Sequence, residues 1–177
     1  MAEIYDPPIP WTNHLHAPFV FFRTSVRPEW IDEFEHVNFA HYLTISGHAN
    51  WAFWNWINGP EGTMEERRGH EYVFVENHVR YLNELALGAP IHVISQLIDH
   101  DDKRYLLLNQ IWKSDDGALA ATNEMKCLGF NLRSRRAERW RPIVVERLEL
   151  VRNAQRALGL PVASSRIALR EAKEAAP

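Results

Sequence analysis

The chain is nearly without cysteine. Cys127 is the only one in 177 residues, so no intrachain disulfide can form and a reducing compartment is indicated. Long apolar runs are missing too. None reaches the ~20 residues of a membrane span, and the N-terminal residues lack the basic-then-apolar layout of a secretory leader. A cytoplasmic protein without a membrane partner is expected. Charge of one sign is not in excess either. The formal net charge is −3 and the pI about 6.3, which excludes a globally basic nucleic-acid binder.

What is present is apolar. Hydrophobic residues make up 46% of the chain, enough to exclude a disordered polymer and to fill the core of one domain. Cys127 lies in the apolar run 125–130 and reads as packing rather than as a nucleophile. Positive charge is local, with Arg133, Arg135, Arg136, Arg139 and Arg141 close together.

Residues 1–17 carry Pro7, Pro8 and Pro10 and read as an extended arm. Residues 19–27 read as a strand. Residues 40–57 read as a helix stopped by Asn58-Gly59-Pro60. A polar insert, 61–69, follows. The period then changes to two. Strands are expected at 71–82, 90–100, 104–114 and 118–132, with Ile91, Val93, Ser95 and Leu97 on one face of the second. Asp101-Asp102 and Asp115-Asp116-Gly117 mark turns. A second helix is expected over 144–158, within a C-terminal helical extension from 143 to 177. This order implies an α+β domain over 18–142, an antiparallel five-stranded sheet around a long helix.

The densest chemistry lies between the first strand and that helix, in Trp30-Ile31-Asp32-Glu33-Phe34-Glu35-His36-Val37-Asn38-Phe39-Ala40-His41-Tyr42. An acid here meets a helix N-terminus, whose first amides have no partner within the helix and favour negative charge. Asn38 suits the N-cap, which would turn the amides of Phe39, Ala40 or His41 outward. Asp32 is either a catalyst or a turn residue, and His36 either orients it or fixes the loop. His36, His41 and His48 lack the four-residue helical spacing of a metal pair. His14 and His16 sit in the arm.

Four segments resemble the hotdog-fold acyl-CoA thioesterases of the 4-hydroxybenzoyl-CoA thioesterase type. They are Asp32 with His36-Val37-Asn38 and Tyr42; Tyr81 with Glu84 and Gly88; the Asp102-Lys103 turn; and Asp116-Gly117 with Ala120-Ala121. Together they span residues 19–142. Two positions depart from the pattern: Glu35 stands where the family has glycine, and Phe39 where a small or polar residue is common. The resemblance implies a hotdog fold, hydrolysis of an acyl-CoA without a cofactor (coenzyme A being part of the substrate), and a homodimer or homotetramer. It implies Asp32 as nucleophile or general base, with helix amides holding the oxyanion. A non-catalytic hotdog protein binding acyl-CoA or a partner is the alternative.

The helix-entry pattern Trp30-Ile31-Asp32 resembles thioesterases of carnitine breakdown that act on betainyl-CoA. Aromatic rings can enclose a quaternary ammonium, and Trp30, Trp51, Trp54, Tyr72 and Trp112 are the candidate walls, with Glu76 or Glu124 to add charge. The same rings also suit an aromatic or fatty acyl tail. Arg133, Arg135, Arg136 and Arg139 are candidates for the coenzyme A phosphates, with Lys103-Arg104 as second choice.

Overall fold

The computed structural model describes residues 9–12, 14–59, 67–159 and 167. Strand β1 (Phe19–Ser25) leads through a 3-10 turn (Pro28–Trp30) into helix α1 (Phe39–Asn58). Strands β2 (His70–Tyr81), β3 (Pro90–His100), β4 (Arg104–Lys113) and β5 (Leu119–Asn131) follow, then β6 (Arg136–Ala137) and helix α2 (Pro142–Gln155). All strand pairs are antiparallel, in the order β1-β3-β4-β5-β2. The five expected strands are all there. The short β6 was not anticipated: Arg135 adopts a positive φ of 58°, closing a turn that returns two residues onto β5.

The period of two places the core as read. Ile91, Val93, Ser95 and Leu97 are all buried, as are Tyr105, Leu107, Asn109 and Ile111 of β4 and Ala121, Asn123, Met125 and Cys127 of β5. Helix α1 packs across β1, β3, β4 and β5. Each large apolar side chain so buried is worth about 1.5–3 kcal/mol. One polar row crosses this face, because Ser95, Asn109 and Asn123 are register partners on β3, β4 and β5. Ser95 Oγ donates to Asn109 Oδ1 at 2.5 Å, and Asn109 Nδ2 donates to the Ser46 carbonyl of α1 at 3.0 Å. Apolar contact alone lets a helix slide; a directional bond to one carbonyl fixes its position along the sheet.

Helix α1 is not buried all round, although no Asp, Glu, Lys or Arg lies within it. Phe39, Leu43 and Trp51 are exposed along one side. Its C-terminal carbonyls are held by arginines. Arg147 Nη1 donates to the carbonyls of Trp56 (3.3 Å) and Ile57 (3.1 Å), Arg67 Nη2 to that of Gly59 (3.3 Å), and Arg141 to that of Asn58. Cations here oppose the negative end of the helix dipole. Burial, then Arg67 and Arg147, hold the Arg141 guanidinium below its ordinary value.

Helix α2 covers the edge of β3 where β1 runs out. Gln155 stands in for a strand: its Oε1 accepts the Leu97 amide at 2.7 Å, and its Nε2 donates to the Ser95 carbonyl at 2.8 Å. The described part of the arm is docked, with Trp11 stacked on Trp56 (ring centroids 4.1 Å apart) and Arg147 over its ring at 4.7 Å. Pro7, Pro8, most of the 61–69 insert and the tail from 160, Ile167 excepted, lie outside the described residues. Among the described residues no helix is long and apolar enough to cross a membrane.

Candidate active site

The turn before α1 is built around two side chains. The Asp32 amide donates to the His36 carbonyl, and the Glu35 amide to the Asp32 carbonyl, both at 3.1 Å. Closing so tight a turn puts Glu35 at φ 63°. This left-handed conformation favours glycine, which has no Cβ to clash, and it explains why glycine is usual at this position of the pattern. Asp32 Oδ1 accepts the Phe34 amide at 3.0 Å, and Oδ2 accepts Asn38 Nδ2 at 3.1 Å. A carboxylate has about four lone-pair directions, so Asp32 keeps capacity for a water or a substrate.

Asn38 also caps α1. Its Oδ1 accepts the Ala40 amide at 3.0 Å. Its backbone carbonyl accepts the His41 amide at 3.0 Å, and its own amide donates to the Trp30 carbonyl at 2.8 Å. The amides of Ala40 and His41 are therefore engaged, which corrects their expected outward turn. The Phe39 amide has no hydrogen-bond partner among the described residues and is available to a ligand.

Around these groups lies a pocket of about 510 Å³, lined by Asp32 to Phe34, His36 to Phe39, Tyr42, and Tyr81 to Glu84. Tyr42 and Tyr81 meet edge to face at 5.2 Å, and Tyr81 Oη donates to the Phe39 carbonyl at 3.4 Å. His36 Nε2 lies 3.9 Å from Glu84 Oε1. Tyr42, Tyr81 and Glu84 were read as markers of the fold and missed as pocket walls. Their signal was in the sequence, since all three belong to the quoted motifs.

The candidate acyl-pocket rings do not converge on Asp32 within a protomer. Trp30 is buried behind the turn, its ring 6.2 Å from that of His41. Trp51 is exposed. Trp54 and Tyr72 stand 5.3 Å apart in a cluster with Tyr105 and Trp140; Trp54 follows Asn38 by sixteen residues, about 24 Å along a helix. Trp112, opposite His92 and Leu119, lies at the same end of the sheet as the pocket but is not one of its lining residues. Glu76 pairs with Lys126 Nζ at 2.8 Å, and Glu124 Oε1 accepts the Ile167 amide at 3.3 Å.

The arginine run is likewise not beside Asp32. It follows the end of β5 that pairs with the start of β2, whereas the pocket lies at the end of β2. Twelve residues of strand separate them, about 35 Å. Arg135 stacks over Phe130 at 5.2 Å, Arg136 is exposed in β6, and Arg139 Nε pairs with Asp102 Oδ2 at 3.1 Å. The Arg133 amide donates to Asn131 Oδ1 at 2.9 Å. Of the second choice, Arg104 Nη1 pairs with Asp101 Oδ2 at 2.7 Å. Cys127 is buried beside Asn50 and Tyr105, and burial pushes its thiol up to about 12, so it is an inert packing residue.

The family model of the thioesterase-like superfamily matches residues 26–148. The chain belongs to this superfamily. It is a thioester hydrolase with a hotdog fold. The chain is 30% identical over 146 residues to a betainyl-CoA thioesterase of Pseudomonas aeruginosa, covering 82% of this chain and 91% of that protein. A hypothetical protein of Staphylococcus aureus, solved in complex with CoA, is similar with a TM-score of 0.74 at 27% identity, over 85% of this chain and 94% of that one. A thioesterase described as putative from Pseudomonas putida has the same fold, with a TM-score of 0.74 at 23% identity over 88% and 99% of the two chains.

The Glu35 conformation makes a measurable difference. Left-handed backbone costs a residue with a Cβ about 1–2 kcal/mol, and glycine gives back about 0.5–1 kcal/mol in chain entropy. Glu35→Gly should therefore stabilise this thioesterase by roughly 0.5 kcal/mol in urea titration, and Glu35→Val should destabilise it. A loss of stability in Glu35→Gly contradicts the turn geometry.

Proposed function

We propose that this protein hydrolyses an acyl-CoA at the Asp32 pocket. One observation carries the reading: a carboxylate fixed by Asn38 and a free Phe39 amide at the start of α1 share the same cavity. The Phe39 amide holds the oxyanion as the thioester carbonyl becomes tetrahedral. Asp32 either attacks that carbon, giving an acyl-aspartyl anhydride that water then opens, or removes a proton from the attacking water. In both cases the C–S bond breaks, coenzyme A leaves as its thiolate, and the free acid remains. No step calls on a cofactor. His36 orients Asp32 through its backbone carbonyl rather than through its ring.

The relative from Pseudomonas aeruginosa supports betainyl-CoA as the substrate. The onium head meets walls other than the tryptophan set. Tyr42, Tyr81, Phe39 and Phe34 supply the rings in this pocket, in place of the tryptophans, and ring faces attract quaternary ammonium.

The coenzyme A tail suits a homodimer. Strand β2 is at the edge of the sheet, most exposed at its middle, residues 74–77, where Phe74 and Val75 face solvent. Such an edge invites a second strand. Antiparallel pairing of two β2 strands about that middle brings the partner's arginine run beside this protomer's pocket. Arg133, Arg135, Arg136 and Arg139 then bind the phosphates in trans.

Two experiments test this. Asp32→Asn should lower kcat for acyl-CoA by about 1000-fold or more without loss of fold; near-normal turnover refutes the catalytic assignment. For the trans site, Asp32→Asn subunits are mixed and refolded with subunits carrying Arg135→Glu and Arg136→Glu. Each parent should be impaired at low substrate. The mixture should regain activity, because one pocket of each heterodimer has both intact Asp32 and intact partner arginines. No recovery places the arginines elsewhere.

A further inference from the structure

We propose that Glu84 is the residue that selects a positively charged acyl group, its carboxylate facing the onium head across the rings of Tyr42 and Tyr81. This rests on the thioesterase reading above and adds to it the residue that reads substrate charge. The pocket wall carries three carboxylates, Asp32, Glu33 and Glu84, and neither lysine nor arginine. That charge repels an anionic acyl group and gives a cationic one an attraction that a neutral one lacks.

The three carboxylates are not equivalent. Asp32 is engaged at both oxygens, by the Phe34 amide and Asn38 Nδ2. Glu33 belongs to the turn itself. Glu84 stands across the cavity, three residues beyond Tyr81, with its side chain 81% exposed and His36 Nε2 at 3.9 Å. Its field reaches the pocket floor: burial raises the Tyr42 phenol above its ordinary value, and the Glu84 carboxylate adds to that rise. The Tyr42 and Tyr81 rings, 5.2 Å apart, complete a combination of aromatic surface and negative charge suited to a quaternary ammonium. An exposed carboxylate gains little from a surface ion pair. A substrate that fills the pocket excludes water, and the attraction then strengthens as the local dielectric falls.

The test compares betainyl-CoA with its carbon isostere 3,3-dimethylbutanoyl-CoA, which replaces the charged nitrogen with carbon. The readout is the ratio of kcat/KM for the two, measured with the purified full chain. The wild type should prefer the cationic ester. Glu84→Gln should reduce the ratio by about tenfold or more, and Glu84→Asp should retain most of it. Thermal melting verifies that both variants fold. An unchanged ratio in Glu84→Gln overturns the inference, as does collapse of the ratio in Glu33→Gln but not in Glu84→Gln. Hydrolysis of both esters by the wild type without preference also overturns it while leaving the thioesterase reading intact. A wild type that hydrolyses neither ester overturns both.

Discussion

A single asparagine side chain joins the start of α1 to the carboxylate in front of it, and the site depends on that junction. Asn38 Oδ1 takes the Ala40 amide, and Nδ2 holds Asp32 Oδ2. An N-cap is worth about 1 kcal/mol to its helix. Here the Asn38 side chain and carbonyl also engage the amides of Ala40 and His41, while that of Phe39 stays open. Folding the helix and aiming the site are one event. The other constraints on α1 act on this junction from a distance. The bond from Asn109 to Ser46 fixes the helix along the sheet, and Arg67, Arg141 and Arg147 hold its far end.

The helix also separates the charges of the molecule. Its N-terminus, the positive end of the dipole, faces Asp32 and the place where an oxyanion would form. Its C-terminus, where Asn58 bonds the His70 carbonyl at the start of β2, lies at the end of the sheet from which the arginine run continues. An acyl-CoA has matching ends, a thioester and several phosphates. One protomer cannot bring its own arginine run to its own pocket across about 35 Å of strand. The proposed pairing through the exposed middle of β2 would remove that distance. In this account the second subunit is therefore part of the binding site.

Much of the fold was legible. Strand periodicity identified the buried rows of β3, because alternation on a half-buried sheet is a local property. The Asp32–Asn38 segment was legible because capping and turn formation act over a few residues. The placement of rings was not, since composition records how many aromatics there are and not which helix end they occupy. Helical rise alone sets Trp54 far from Asn38 within one protomer, so it is not among the rings that line the Asp32 pocket. Glu35 shows the reverse case. Its departure from glycine looked like a change to the site, whereas the backbone keeps the left-handed turn and the side chain bears the strain. Tyr42, Tyr81 and Glu84 were visible in the motifs, but they meet only when the end of β2 folds back against the start of α1.

The central claim is that Asp32 and the Phe39 amide bracket the thioester carbonyl. A crystal structure with a non-hydrolysable CoA ketone, in which a methylene replaces the thioester sulfur, tests it most directly. The account predicts the carbonyl oxygen within hydrogen-bonding distance of the Phe39 nitrogen, about 3 Å, and the Asp32 carboxylate, or a water bonded to it, facing the carbonyl carbon. An analogue bound with its carbonyl away from the start of α1, or turned toward the Trp54–Tyr72 cluster, contradicts it.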